Sequence, residues 1–148
     1  PANSFVKEFV GTDRALKRLK LLKVTRAMMP FRMVLKPDDT MEAAASKMSD
    51  RKAHIAVVVG PRGRARGYVT SEEAKGVRSG MVADFIDPIP GMANENDNLH
   101  DAVSQMYAHA TDWMPVVDDE GIYKGYITQH IIASLLGETP RKVGDRIV

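Results

Sequence analysis

The segment Gly67-Tyr68-Val69-Thr70 recurs almost unchanged as Gly125-Tyr126-Ile127-Thr128, 58 residues further along the chain. Each copy is a short run of β-branched and aromatic residues that begins at a glycine and ends at a threonine. Such a run is typical of a β-strand that leads into a turn or a helix. A repeat at a fixed distance indicates one supersecondary unit that occurs twice. The 58-residue offset therefore predicts a duplicated fold.

The same offset aligns many residues outside these two segments, and it does so without a gap. The aligned identities are Val24 with Val82, Pro30 with Pro88, Asp39 with Asp97, Ala44 with Ala102, Ser46 with Ser104, Met48 with Met106, Val58-Val59 with Val116-Val117, and Gly63 with Gly121. The turn, strand and helix signals also keep their order across the offset. Units of about 58 residues are marginally stable alone, so we expect the two copies to bury apolar faces against each other.

Each unit is predicted to contain β-α-β-β-α, which gives an α/β (α+β) fold with two small sheets. We expect strands at 33–35, 55–59, 66–70, 113–117 and 122–128, and helices after residues 39 and 98 and over 71–77 and 131–136. Asp39 is expected to cap the helix that follows it, with Glu42 reaching back to Asp39. Asn98 is expected to cap the helix that follows residue 98. A basic amphipathic helix with Leu16, Leu19 and Leu22 on one face precedes the units. The units are assigned to 24–80 and 81–139, after a leading segment 1–23 and before a tail 140–148.

Composition excludes several classes of protein. The 148 residues include no cysteine, so no disulfide framework and no thiolate chemistry is expected. No apolar run approaches the roughly 18 residues that span a bilayer. The sequence has neither a P-loop nor a Gly-x-Ser-x-Gly motif, and its four histidines lack metal-ligand spacing. We therefore predict no catalytic residues, no metal site and no direct membrane insertion.

Charge is unevenly distributed, although the net charge is only +2. Residues 1–80 carry 17 of the 21 Lys and Arg, whereas residues 81–120 carry no Lys or Arg and 9 acids. The two halves either form separate solvated faces or attract each other across an interface, and salt would weaken that attraction. Nucleic-acid binding through the basic half is disfavoured, because no aromatic residues are interleaved among Arg62, Arg64 and Arg66.

The candidate site residues are the threonines at the two strand-to-helix junctions. A hydroxyl at Thr70 or Thr128, beside the unpaired amides of a helix N-terminus, suits a phosphate or ribose oxygen. The alternative is that both threonines only cap their helices. Spacing alone leaves both interpretations open.

The two units resemble the CBS motif, the module first named for cystathionine β-synthase. Its signature, an apolar-Pro-Val-Val-Asp strand followed by Gly-x-x-Thr/Ser-x-x-Asp, is matched by 114–118 with 125–128, and less fully by 56–59 with 67–70. The resemblance covers residues 24–136 and implies one pseudo-twofold Bateman module that forms homodimers. It also implies an adenine nucleotide in the cleft between repeats, with the Thr on phosphate or ribose and the terminal Asp on ribose hydroxyls.

The chain departs from this signature at the position of the terminal Asp. Glu73 occupies that position in the first repeat and Ile131 occupies it in the second. On the strength of the resemblance, a first pocket is assigned to Val34, Ile55, Ala56, Thr70 and Glu73. A second or dimer-interface pocket is assigned to Trp113, Met114, Pro115, Tyr126, Thr128 and Gln129. Because an aromatic face needs no matching polar partner, an adenine could stack on Trp113 or Tyr126. Trp113 is equally well explained as a core or dimer-interface residue.

Segments 1–11 and 13–19 resemble the end of the ATPase domain in ABC importers for glycine betaine, carnitine and proline-type solutes. That resemblance implies a C-terminal regulatory part of such an ATPase, at the cytoplasmic face of the membrane, with the ATPase domain and a membrane subunit as partners. The implied regulators are ionic strength and an adenine nucleotide such as AMP, ATP or cyclic di-AMP. Two alternatives remain: a dimerisation scaffold without a ligand, and a CBS regulator of another enzyme or channel.

Overall fold

The computed structural model describes residues 13–77, 79–137 and 148. Segment 1–12, which carries part of the resemblance to ABC ATPases, and residues 140–147 of the predicted tail lie outside the described residues. The helices are α1 (Asp13–Leu21), α2 (Met41–Asp50), α3 (Ser71–Gly76), α4 (Leu99–Ala108) and α5 (Gln129–Leu135). The strands are β1 (Val34–Leu35), β2 (Ile55–Val59), β3 (Ala65–Thr70), β4 (Ala93–Asn94), β5 (Trp113–Val117) and β6 (Tyr123–Thr128).

The strands form two three-stranded sheets of identical topology, β1-β2-β3 and β4-β5-β6. In each sheet the first pair is parallel and the second is antiparallel. The register is also shared, because Ile55 pairs with Thr70 and Trp113 pairs with Thr128, each 58 residues further on. The predicted duplication and the mixed α/β class are confirmed.

Five isolated backbone bridges show how the two units are arranged. The pairs are Lys23 with Asn98, Thr40 with Met81, Met29 with Tyr126, Tyr68 with Asp87, and Arg64 with Ile122. Adding 58 to one member and subtracting 58 from the other converts the first pair into the second and the third into the fourth. The last pair maps onto itself. The units are therefore related by a pseudo-twofold axis that passes near the Arg64–Ile122 bridge.

The segment that leads into each unit crosses over to the sheet of the other unit. The amide of Tyr68 in β3 donates to the carbonyl of Asp87 (3.0 Å), and the amide of Asp87 donates back (2.8 Å). This close approach requires glycine at the neighbouring position of the strand. A Cβ on Gly67 would lie 2.1 Å from Cγ2 of Ile86, and a Cβ on Gly125 would lie 2.5 Å from the carbonyl oxygen of Met29. The glycines of the repeated segment are thus explained by the crossing.

Helix α1 packs as an integral part of the second unit. Leu19 is only 1% exposed and belongs to the core formed by α4, α5 and their sheet. The amide of Leu99 at the start of α4 donates to the carbonyl of Leu22 (2.8 Å), and Arg18 donates to the carbonyl of Leu136 (3.2 Å). Burying a leucine side chain contributes about 1.5–3 kcal/mol, so α1 stabilises the second unit. No described helix is long and apolar enough to cross a membrane.

The cap of α2 differs from the prediction. Thr40, and not Asp39, is the N-cap, and its hydroxyl accepts the amide of Ala43 (3.0 Å). Asp39 instead accepts the amide of Lys36 (2.9 Å) in the turn before the helix. Either residue type can cap a helix, so the sequence alone could not separate the two roles. The predicted cap Asn98 is confirmed, since its side chain accepts the amide of Asp101 (2.8 Å).

Candidate ligand site between the two sheets

Thr70 and Glu73 are locked to each other at the start of α3. The Thr70 hydroxyl accepts the Glu73 amide (3.2 Å), and Oε1 of Glu73 accepts both the Thr70 amide (2.9 Å) and the Thr70 hydroxyl (3.0 Å). This reciprocal capping box orders the first turn of the helix. Thr70 therefore does cap its helix, and a single carboxylate oxygen of Glu73 accepts both hydrogen bonds from Thr70.

Asp87, which no pattern in the sequence marks, joins this pair through the crossing segment. Its side chain is hydrogen-bonded to Glu73. Burial, this hydrogen bond and repulsion from Glu73 raise the pKa of Asp87 to about 6. Burial alone would raise the pKa of Glu73, but the hydrogen bonds from Asp87 and Thr70 outweigh it and leave that pKa lowered. Asp87 thus holds the shared proton in mildly acidic solution.

The corresponding position in the second unit is apolar. Thr128 is 4% exposed, and its hydroxyl accepts the amide of Ile131 (3.0 Å), so it caps α5 as Thr70 caps α3. Ile131 replaces Glu73, and Met29 replaces Asp87 on the 58-residue offset. The side-chain amide of Gln129 donates a hydrogen bond through Nε2 to the carbonyl of Thr111 (3.2 Å). The two junctions therefore differ in chemistry, because the paired carboxyl groups of Glu73 and Asp87 are replaced by the apolar side chains of Ile131 and Met29.

Between the sheets, side chains from both units form what we call the inter-sheet cluster. Its buried members are Ile55, Val57, Val59, Trp113, Tyr123, Tyr126 and Val148, with Val34, Ala65, Tyr68 and Ile131 packed against them. The ring of Tyr68 meets that of Trp113 edge-on, with centroids 5.4 Å apart. Phe31 stacks on Tyr123 at 4.6 Å. The cluster therefore contains residues of both predicted pockets, namely those whose side chains lie on the strand faces between the sheets.

Ala56 and Met114 do not reach this cluster. They alternate with Ile55 and Trp113 along their strands, so their side chains point to the opposite faces. Ala56 packs in the helix-covered core of the first unit and Met114 in that of the second. Pro115 is buried on β5 between Met114 and Val116. Only the main chain of Ala56 and Met114 is available to a ligand between the sheets.

Val148 occupies the inter-sheet cluster, and nothing in the sequence pattern pointed to it. Its side chain is fully buried, and its main-chain oxygen accepts the amide of Arg32 (3.1 Å). Val148 therefore lies beside Ile55 and Tyr126, residues of the two predicted pockets. A ligand in this space and Val148 would exclude each other.

Open clefts lie at the other end of the first sheet. One of about 590 Å³ is lined by Lys36, Pro37, Asp38, Val59, Gly60, Pro61, Arg62 and Gly63. A second of about 310 Å³ is lined by Gly60, Pro61, Arg62, Arg64 and Arg66. Both are at the Val59 end of β2, whereas Thr70 pairs with the Ile55 end. Among the described residues, no three His, Cys, Asp or Glu side chains come together as metal ligands would.

Two sheets of this topology, related by a pseudo-twofold axis and bridged by exchanged lead-in segments, define a tandem-repeat module. The chain belongs to the CBS domain family, whose model matches residues 24–78 and 82–138. The duplication at 58 residues and the family assignment agree on where the two copies lie.

Two curated relatives of the chain are ATP-binding proteins of transport systems. The chain is 37% identical over 145 residues to the osmoprotectant import ATP-binding protein OsmV of Salmonella typhimurium, covering 95% of this chain and 37% of that protein. It is 24% identical to the carnitine transport ATP-binding protein OpuCA of Listeria monocytogenes, covering 92% and 35%. The chain thus spans little more than a third of the length of these relatives.

The fold is shared with solved CBS structures. CBSX2 in complex with AMP superposes with a TM-score of 0.66 at 21% identity, covering 77% of this chain and 95% of that one. At this identity the likeness shows the fold alone.

Proposed function

We propose that this chain is the regulatory CBS pair of an ABC import ATPase for compatible solutes such as glycine betaine, carnitine or related osmoprotectants. The observation that carries the proposal is the 37% identity to OsmV, which extends over 95% of the chain. In this proposal the module lies in the cytoplasm at the inner face of the membrane. Its partners are the ATPase domain, the membrane subunit and a second copy of the module.

The proposed ligand of the first unit is an adenine nucleotide, AMP, ATP or cyclic di-AMP. Glu73 and the Thr70 hydroxyl lie together at the end of β3, where the family signature has its ribose- and phosphate-binding residues. A carboxylate is a strong acceptor for a sugar hydroxyl, since hydrogen bonds to charged groups contribute about 1.5–3 kcal/mol. Val34, Ile55 and the main chain of Ala56 would form the apolar wall.

The second unit is proposed to bind by stacking and shape. Trp113 and Tyr126 would supply aromatic faces, Pro115 pairs with Tyr126 across the two strands and adjoins the Met114 main chain, and Gln129 would supply its side-chain amide next to Thr128. Ile131 offers no acceptor for a ribose, so a ligand here would bind differently from one beside Glu73. The module would then work by a shift between two arrangements of its units, which the ligand biases through its differential affinity.

Ionic strength is a second proposed input. The basic first eighty residues and the acidic segment 81–120 attract each other less as salt rises, because the screening length falls to about 10 Å at 0.1 M. Across a homodimer interface, this attraction would make the arrangement of two modules depend on salt.

The nucleotide proposal is tested by isothermal titration calorimetry with AMP, ATP and cyclic di-AMP at low and high salt. We expect at least one of them to bind and Glu73→Gln to weaken that binding by about tenfold or more, since a charge-assisted hydrogen bond is lost. The matched control is Glu72→Gln, an exposed acid one residue away. The proposal would be contradicted if none of the three nucleotides bound, or if Glu73→Gln and Glu72→Gln lost the same amount of affinity.

One observation favours a second function, that of a dimerisation scaffold without a ligand. Val148 and the aromatic rings fill the space between the sheets. A scaffold predicts a dimer, measured by sedimentation equilibrium, whose association constant does not change with nucleotide or salt. A regulatory module predicts that at least one of them changes it.

A further inference from the structure

We propose that the inter-sheet cluster is a binding site for a small betaine, a molecule that joins a quaternary ammonium group to a carboxylate. The inference rests on the proposed function and deepens it. The module would sense the class of solute that the parent importer is proposed to carry, and the transported product would thereby regulate its own uptake.

Aromatic rings are the first requirement for such a ligand. Five of the nine aromatic side chains of the protein gather in or beside the cluster: Phe31, Tyr68, Trp113, Tyr123 and Tyr126. They come from both units, so the grouping exists only in the folded pair. A quaternary ammonium ion is attracted to the negative faces of such rings.

Val148 shows how the ligand would fit. Its branched side chain is fully buried in the cluster, and its main-chain oxygen accepts the Arg32 amide at 3.1 Å. In valine, Cβ with its methyl groups is one carbon away from the carbonyl carbon. In trimethylglycine, the methylated nitrogen is likewise one carbon away from the carboxylate. The methyl groups of the ligand would replace those of Val148, and a carboxylate oxygen would take the place of its main-chain oxygen.

Tyr123 provides the second donor for that carboxylate. Its side chain is 5% exposed, and its hydroxyl is a buried polar group that has no hydrogen-bond partner among the described residues. A buried hydroxyl without a partner is costly to the fold. Burial raises the pKa of Tyr123, so the hydroxyl stays protonated and remains a donor. A carboxylate beside it would satisfy this hydroxyl.

A betaine costs less to bury between the sheets than a lone ion of either sign would. A lone cation or anion placed between the sheets would carry the full penalty of an unpaired buried charge. In a betaine the two charges belong to one molecule and compensate each other. Choline, which lacks the carboxylate, would leave the amide of Arg32 and the hydroxyl of Tyr123 without a new acceptor.

The test uses the fluorescence of Trp113, the sole tryptophan of the protein. Glycine betaine at millimolar concentration is expected to change this emission saturably. Its carbon isostere, 3,3-dimethylbutanoate, has the same shape and carboxylate but an uncharged carbon in place of the quaternary nitrogen, and is expected to bind about tenfold more weakly because it lacks the cation. Sucrose at equal osmolality controls for exclusion of the solute from the protein surface.

Two variants separate the site from general effects. Val148→Ala should increase the affinity for glycine betaine, because a smaller side chain competes less well for the same space. Tyr123→Phe should lower the affinity while keeping the stack with Phe31, and Tyr107→Phe, at a half-exposed tyrosine, should not. Three results would overturn the proposal. The first is an equal change of emission with sucrose, the second is no change with glycine betaine in either the wild type or Val148→Ala, and the third is the same affinity for glycine betaine in Tyr123→Phe and Tyr107→Phe. Nucleotide binding is measured in separate titrations. The betaine proposal can therefore be rejected while the nucleotide proposal stands, and the reverse also holds.

Discussion

Substituting Gly67 by alanine should strongly destabilise the protein, because the lead-in segment of the second unit crosses directly over this glycine. The added Cβ would lie 2.1 Å from Cγ2 of Ile86 and 2.6 Å from the carbonyl oxygen of Asp87. The second contact is with main chain, so a side-chain rotation cannot relieve it. The segment must therefore move away from β3.

The expected magnitude follows from the contacts that such a movement loses. Overpacking costs about 1–3 kcal/mol. Separation also breaks the two hydrogen bonds between Tyr68 and Asp87, each worth about 0.5–1.5 kcal/mol net. We therefore expect a loss of about 2–6 kcal/mol, a large share of the roughly 5–15 kcal/mol that stabilises a typical domain.

Urea unfolding at equilibrium measures this loss. Gly76→Ala is the matched control, because a Cβ at Gly76 meets nothing within 4 Å and alanine favours the helix by up to about 1 kcal/mol. Gly125→Ala should behave like Gly67→Ala, since its Cβ would meet the carbonyl oxygen of Met29. A Gly67→Ala variant within about 0.5 kcal/mol of wild type, the range of neutral surface changes, would refute the crossing.

Two further predictions concern α1 and the shared proton. Leu19→Ala should cost about 2–5 kcal/mol of unfolding free energy, whereas Leu21→Ala, at a side chain that is 82% exposed, should cost almost nothing; equal effects would show that α1 does not pack on the second unit. Because the pKa of Asp87 is raised from 3.8 to about 6 in the folded state, the protein binds more protons folded than unfolded between these values. The contribution of Asp87 to the free energy of unfolding should fall as pH rises through this window and level off above it. The change should be small, since Asp87 is partly exposed and screened. Asp87→Asn should abolish that slope in melting temperatures measured between pH 4.5 and pH 7, and an unchanged slope would assign it to another group.

The sheets could be predicted because their signals are local. Ile55–Val59 and Trp113–Val117 are apolar runs whose bounds the structure reproduces. The proximity of Asp87 to Glu73 could not be predicted, because it arises when a lead-in segment crosses to the other unit. The burial of Val148 between the sheets has the same cause, a tertiary contact without a local pattern. The choice between Asp39 and Thr40 as cap failed for another reason: neighbouring residues were both chemically competent.

The positions of the two threonines in the fold could be predicted, whereas their role toward a ligand stays a prediction. Thr70 and Thr128 lie at the strand-to-helix junctions as expected, and both cap helices. Whether they also touch a ligand remains a prediction. The strand alternation turns Ala56 and Met114 toward the helices, while Ile55 and Trp113 face each other's unit. The 58-residue offset could have revealed the contrast between Glu73 with Asp87 and Ile131 with Met29, had the crossing been known.

The most direct test of the regulatory account is a titration of the isotopically labelled protein with AMP, ATP and cyclic di-AMP, followed by amide chemical shifts in NMR spectra. The account predicts saturable shifts centred on Ile55, Thr70 and Glu73 for at least one nucleotide. Shifts confined to the basic clefts around Arg62, or no saturable shift with any of the three, would contradict it.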